Sequence, residues 1–187
     1  MKSKLNLHLF VFTWVFLSIA ASGLLGPVVS RASGIVLPKD ADGWTLLMPT
    51  TDTVFVYVSA TGDDAMCKGY RAEDLAGNDP FEPGGAMTAC ATFSQAYKYT
   101  RENLPDWILF ERGGSFNIPE GIVSKSGRNS QEPYTVGAYG AERKKPVIKT
   151  GMNPAVRLSS GQKWVSIYGL DFYAHVRDPD NESFNHS

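Results

Sequence analysis

An all-β fold, a solenoid of stacked short strands with one capping helix at its start, is what this 187-residue sequence predicts. Three observations carry that expectation. Between Trp107 and Tyr173, short β-branched and aromatic runs recur, each separated from the next by Gly, Pro, Ser or Asn. No helical period long enough to interrupt them occurs in that stretch, and one amphipathic pattern lies directly ahead of it. Recurrence of this kind reads as a chain coiling over itself, because each coil buries its apolar face only by stacking on a neighbour.

The elements follow in chain order. Residues 1–32 have the pattern of an export signal: Lys2 and Lys4, an apolar stretch from about Leu5 to Leu25, and Ser30-Arg31-Ala32 as small-residue cut positions. Ala20-Ala21-Ser22 is an alternative cut. An uncleaved membrane anchor is the competing reading, since the stretch approaches the roughly 20 residues that span a bilayer. Asn6, His8 and several Ser and Gly residues interrupt it and favour cleavage. Residues 33–53, broken by Pro38, Gly43 and Pro49, read as a leading segment, and residues 54–187 as the main domain.

Val54 to Val58 is a strand, and Ser59 to Asp64 holds the turn residues that end it. Cys67 and Cys90 follow, in the exported part of the chain, where an oxidising compartment favours pairing. A Cys67–Cys90 disulfide closes the Gly-, Pro-, Asp- and Asn-rich segment Lys68 to Ala89; two free thiols are the alternative. From Thr92 to Asn103, Phe93, Ala96, Tyr97, Thr100 and Leu104 fall on one helical face. Thr92 and Gln95 have capping-box spacing, and Pro105 supplies a stop. Beyond it the expected strands are 107–110, 122–124, 134–136, 146–148, 155–158 and 164–168, with a bend at Gly169 and a further apolar row through Leu170 and Phe172.

Several of these segments, in order and over residues 54–173, resemble the right-handed parallel β-helix proteins of the pectate lyase-like superfamily. They are Val56 to Asp64, Ala91 to Ala96, Trp107 to Phe116, Ser124 to Gly127, Glu132 to Gly140, Pro146 to Ile148 and Val165 to Phe172. The resemblance implies a right-handed parallel β-helix of which this chain is the amino-terminal cap and first coils, truncated relative to the family. Two departures stand out. The Met66 to Met87 insertion with its cysteines separates strand from helix, and Pro105-Asp106 stands where the family tends to carry Gly-Asp.

By resemblance the function is exported polysaccharide degradation of lyase type, the β-elimination of an acidic polysaccharide, with a Lys or Arg as base and Ca²⁺ on the uronate carboxylate in the full-length protein. A non-catalytic glycan-binding or cell-surface module and an inactive fragment are the alternatives. The catalytic and metal-binding residues stay unassigned. Lys149, Arg157 and Lys163 are the basic residues near late strands, and Asp171 or the tail acids Asp178, Asp180 and Glu182 are candidate metal ligands. A lone strand lysine more often guards a sheet edge, a single acid more often faces solvent, and Pro179 argues against a calcium loop. Asp63 and Asp64 read as turn formers.

His175 and His186 lack the partners of a nucleophilic triad. Asn181 and Asn185 match the glycosylation pattern. Trp107, Tyr139, Trp164 and Tyr173 are aromatics that either stack on sugar rings or fill the core, the second being the commoner use.

Signal removal takes Lys2, Lys4 and Arg31 from the 18 basic residues and leaves 15 against 19 acidic, a net charge of −4. Nucleic acid is therefore not an expected partner, and Arg143-Lys144-Lys145 reads as a solvated turn. The expected location is secreted, cell-surface or periplasmic, with no membrane association after cleavage. Polysaccharide is the expected partner, and self-association through an uncovered last coil is a further expectation.

Overall fold

The computed structural model describes residues 38, 39, 41, 43, 45–75, 79–84 and 87–184. The export-signal reading of 1–32, with both cut sites, and the Asn185 and His186 readings lie outside the described residues.

Nine strands and one α-helix make up the described chain, and every strand pair is parallel. β1 (Phe55–Val58), β2 (Trp107–Glu111), β5 (Tyr134–Tyr139) and β8 (Val165–Ile167) form one sheet in the order β1-β2-β5-β8. β3 (Ser115–Asn117), β6 (Val147–Lys149) and β9 (Asp171–Tyr173) form a second, in that order. β4 (Ile122–Val123) and β7 (Val156–Arg157) form a third. Each passage of the chain visits the sheets in the same order, and from β2 onward successive partners are 24 to 34 residues apart: Val147 pairs with Asp171, Trp107 with Thr135, and Ile122 with Val156.

Parallel strands covered on both faces need apolar side chains in both directions, and β1 and β2 supply them. Val56, Val58, Ile108 and Phe110 point into one core with Phe116, Ile122, Tyr134, Val136 and Ile148. Phe55, Tyr57, Trp107, Leu109 and Tyr139 point the other way into a second cluster. The cysteine-bounded segment and the leading segment cover that second face with Tyr70, Leu75, Ala89, Phe81, Met87 and Leu47.

Phe55 to Trp107 is a step of 52 residues, the largest between strand partners; without the 22 residues of Lys68 to Ala89 it becomes 30, within the range of the others. The insertion also seals the first strand. Tyr70 exchanges two backbone hydrogen bonds with Phe55, and Cys90 pairs with β1 further along, so the free edge of β1 is occupied. Gly62 has no Cβ because one would meet the Cys90 carbonyl oxygen at 2.3 Å.

α1 (Phe93–Tyr99) packs against β1, burying Phe93 and Ala96, and the Phe93 ring stacks at 6.0 Å on Phe110. It is shorter than the predicted span of 92–103. Its end is set by competing partners and not by Pro105: the Lys125 ammonium takes the Tyr97 and Thr100 carbonyls, and Asp106 binds the Arg101 amide at 2.7 Å. The Thr92 hydroxyl accepts from the Gln95 amide at 3.2 Å as the capping box requires, but Gln95 does not reach back. Asp64 accepts from the Thr92 amide instead.

The short strand β3, between Gly114 and Ile118, was not among the expected runs, and β5 extends three residues past Val136. The bend at Gly169 is present, between β8 and β9. None of the helices among the described residues is long and apolar enough to cross a membrane.

Candidate functional site

A groove of about 740 Å³ is lined from four parts of the chain. Leu46 and Leu47 come from the leading segment, Phe81 from the cysteine-bounded insertion, and Trp164, Ser166 and Tyr168 from β8 and its flanks. Pro133, Thr45 and Ser130 complete most of the lining, which carries no charged side chain among the described residues. Leu47 and Phe81 pack on the buried aromatic cluster of β1 and β2 and also face β8 across the groove.

Two residues of this lining depart from ordinary geometry. Trp164 has a φ of +58°, a left-handed conformation that a bulky residue rarely adopts, and is 43% exposed. Its backbone explains part of that: the Trp164 carbonyl accepts the Tyr134 amide at 2.8 Å, which joins the start of β8 to β5. Tyr168 packs over Gly137, where an added Cβ would meet its ring carbons at 2.6 and 2.8 Å. Its buried hydroxyl has no hydrogen-bond partner among the described residues. Burial raises the pKa of that hydroxyl, with the Arg112 charge opposing the shift, so the group stays protonated.

The disulfide partners behave as expected. Cys67 and Cys90 are joined, with Cα atoms 4.9 Å apart, and tie the start of the insertion to the first sheet beside α1. Asp64 lies with them in a set of three ligand-type side chains, but sulfurs bonded to each other are not available to a metal. Asp64 instead holds the helix start, accepting from the Ala91 and Thr92 amides at 2.8 and 2.9 Å and from the Thr92 hydroxyl at 2.7 Å.

The residues weighed for β-elimination are dispersed. Lys149 and Asp171 lie on the second sheet, Arg157 is on the third, and Lys163 precedes β8. Asp171 is exposed and faces Lys145 at 3.2 Å. Asp178 is engaged by the Tyr173 hydroxyl at 2.5 Å and the Asp180 amide at 3.0 Å, a local turn. Among the described residues no three carboxylates converge.

The aromatics divide as well. Trp107 and Tyr139 are buried in the second cluster, Tyr173 anchors the Asp178 turn, and Trp164 alone of the four lines the groove. Sequence reasoning singled out Trp164 without separating it from the other three. Its distinguishing features, a positive φ and exposure in the groove, arise from tertiary packing.

A comparison of the chain with protein-family models, curated proteins and solved structures gives no match.

Proposed function

We propose that the chain is an exported right-handed parallel β-helix that acts on polysaccharide, with the described strands as its capped first coils and the groove beside Trp164 as its sugar-binding surface. The observation that carries the reading is the repeated visiting order: β2-β3-β4, then β5-β6-β7, then β8-β9, with every return parallel and in register. A chain that comes back to the same sheet after each passage is winding, and connections between parallel strands of one sheet are right-handed in about 98% of cases. Export is supported by the signal pattern of residues 1–32 and by the Cys67–Cys90 pair, which suits an oxidising compartment.

Of the two activities weighed for the chain, cleavage and binding, binding is the one these residues support, because the groove offers an exposed indole and hydroxyl groups, and among the described residues no base stands with a carboxylate cluster. The test is retention of the secreted protein on a panel of insoluble neutral and acidic polysaccharides, with absorbance from unsaturated ends followed in polygalacturonate and Ca²⁺. Retention without new absorbance is the expected result. Absence of retention on the whole panel overturns the reading, and unsaturated product replaces binding with lyase chemistry.

A further inference from the structure

Resting on the polysaccharide reading, we infer that the groove beside Trp164 takes an uncharged sugar ring, stacked on the Trp164 indole, and not a uronate. The lining decides the charge. Among the described residues it carries no Lys, Arg, His, Asp or Glu. The charged side chains of the adjoining turn are already committed, Arg128 to Asp52 and to Glu132 at 3.0 Å. A uronate carboxylate entering this groove loses water without meeting a cation among the described lining residues, which is unfavourable. The net charge of −4 expected for the exported chain adds repulsion at longer range.

A neutral hexose presents the opposite chemistry. Its C–H face matches the apolar surface of an exposed indole, and its hydroxyls match those of Thr45, Ser130 and Ser166. Trp164 is held in a strained backbone conformation although its ring is 43% exposed. Core packing therefore does not account for a tryptophan at that position, whereas a ligand on its face does.

Trp164→Gly and Trp164→Phe in the full chain test this by affinity electrophoresis through gels containing hydroxyethyl cellulose, galactomannan or polygalacturonate. Glycine tolerates the +58° backbone, so the first variant is expected to fold, and its thermal melt checks that. The expected result is retardation by a neutral polymer that is unchanged by added NaCl, about tenfold weaker in Trp164→Gly and largely kept in Trp164→Phe. Retardation by polygalacturonate alone, weakened by salt and by Trp164→Gly, overturns the uncharged ligand while the polysaccharide reading stands. Neutral-polymer binding that Trp164→Gly leaves intact in a folded variant overturns the groove assignment. Binding to none of the polymers overturns both.

Discussion

Phe116 and Phe172 stand at the two ends of one row, paired in register through Ile148 on the second sheet, yet the first is 6% exposed and the second 37%. Each is the central phenylalanine of a three-residue parallel strand, Ser-Phe-Asn in one and Asp-Phe-Tyr in the other. The difference lies in what stacks on them. Phe116 meets Phe110 edge-on at 4.9 Å within the core that α1 covers, whereas beyond Phe172 the described chain turns aside through a short 3-10 turn (His175–Arg177). Burial in a stack of parallel strands is thus conferred by neighbours and not by strand pattern, and the start and end of this stack should differ sharply in energy.

Alanine substitution measures that difference directly. Phe116→Ala removes a packed ring and should lower the urea-unfolding free energy by about 3–5 kcal/mol. Phe172→Ala should cost about 1–2 kcal/mol, because less apolar area returns to water. Equal costs would show that the last row is covered in solution. Self-association through that row then becomes the explanation to pursue, and light scattering over a concentration series would reveal it.

The cover over the first strands can be broken without touching the strands themselves. Replacing Cys67 and Cys90 together by alanine frees the segment that carries Tyr70, Leu75 and Phe81 onto the outer aromatic cluster. A bridge spanning 23 residues contributes about 3 kcal/mol in the loop-entropy account. Emission of the buried Trp107 should shift to the red before global unfolding if the segment lifts. Unchanged emission would mean that the Phe55–Tyr70 backbone pairing and the Tyr57 hydroxyl bond to Pro80 hold the cover alone.

How far the sequence could be read follows the same physics. Strands whose neighbours cover both faces, β1 and β2, are continuous apolar runs and were legible with nearly their observed bounds. β3 was not, because three residues with a single inward phenylalanine between Gly114 and Ile118 leave no period to detect. The helix was legible at its start, where Thr92 caps it, and not at its end, which is decided by Lys125 and Asp106 from outside the helix. The groove was illegible for a stronger reason: Leu46, Phe81 and Trp164 are far apart in the chain and meet only after the insertion has folded over the sheet.

Asp64 shows the smallest expected effect and the clearest sign. Partial desolvation opposes its ionisation, but hydrogen bonds from the Thr92 hydroxyl and the Thr92 and Ala91 amides outweigh it and hold the carboxyl below its ordinary value of 3.8. A carboxyl with a depressed pKa in the folded protein contributes stability that is fully present above the unfolded value and is lost as pH falls through the folded one. Asp64→Ala should therefore cost about 1 kcal/mol near neutral pH, the size of a lost helix-cap contact. Thermal melts of wild type and variant should keep a constant gap from pH 8 to pH 5, and the gap should narrow below pH 3.8 as the wild-type carboxylate takes up its proton. A gap that widens on acidification would mean that the protonated acid is the better cap, and would move control of the helix start from Asp64 to Thr92 alone.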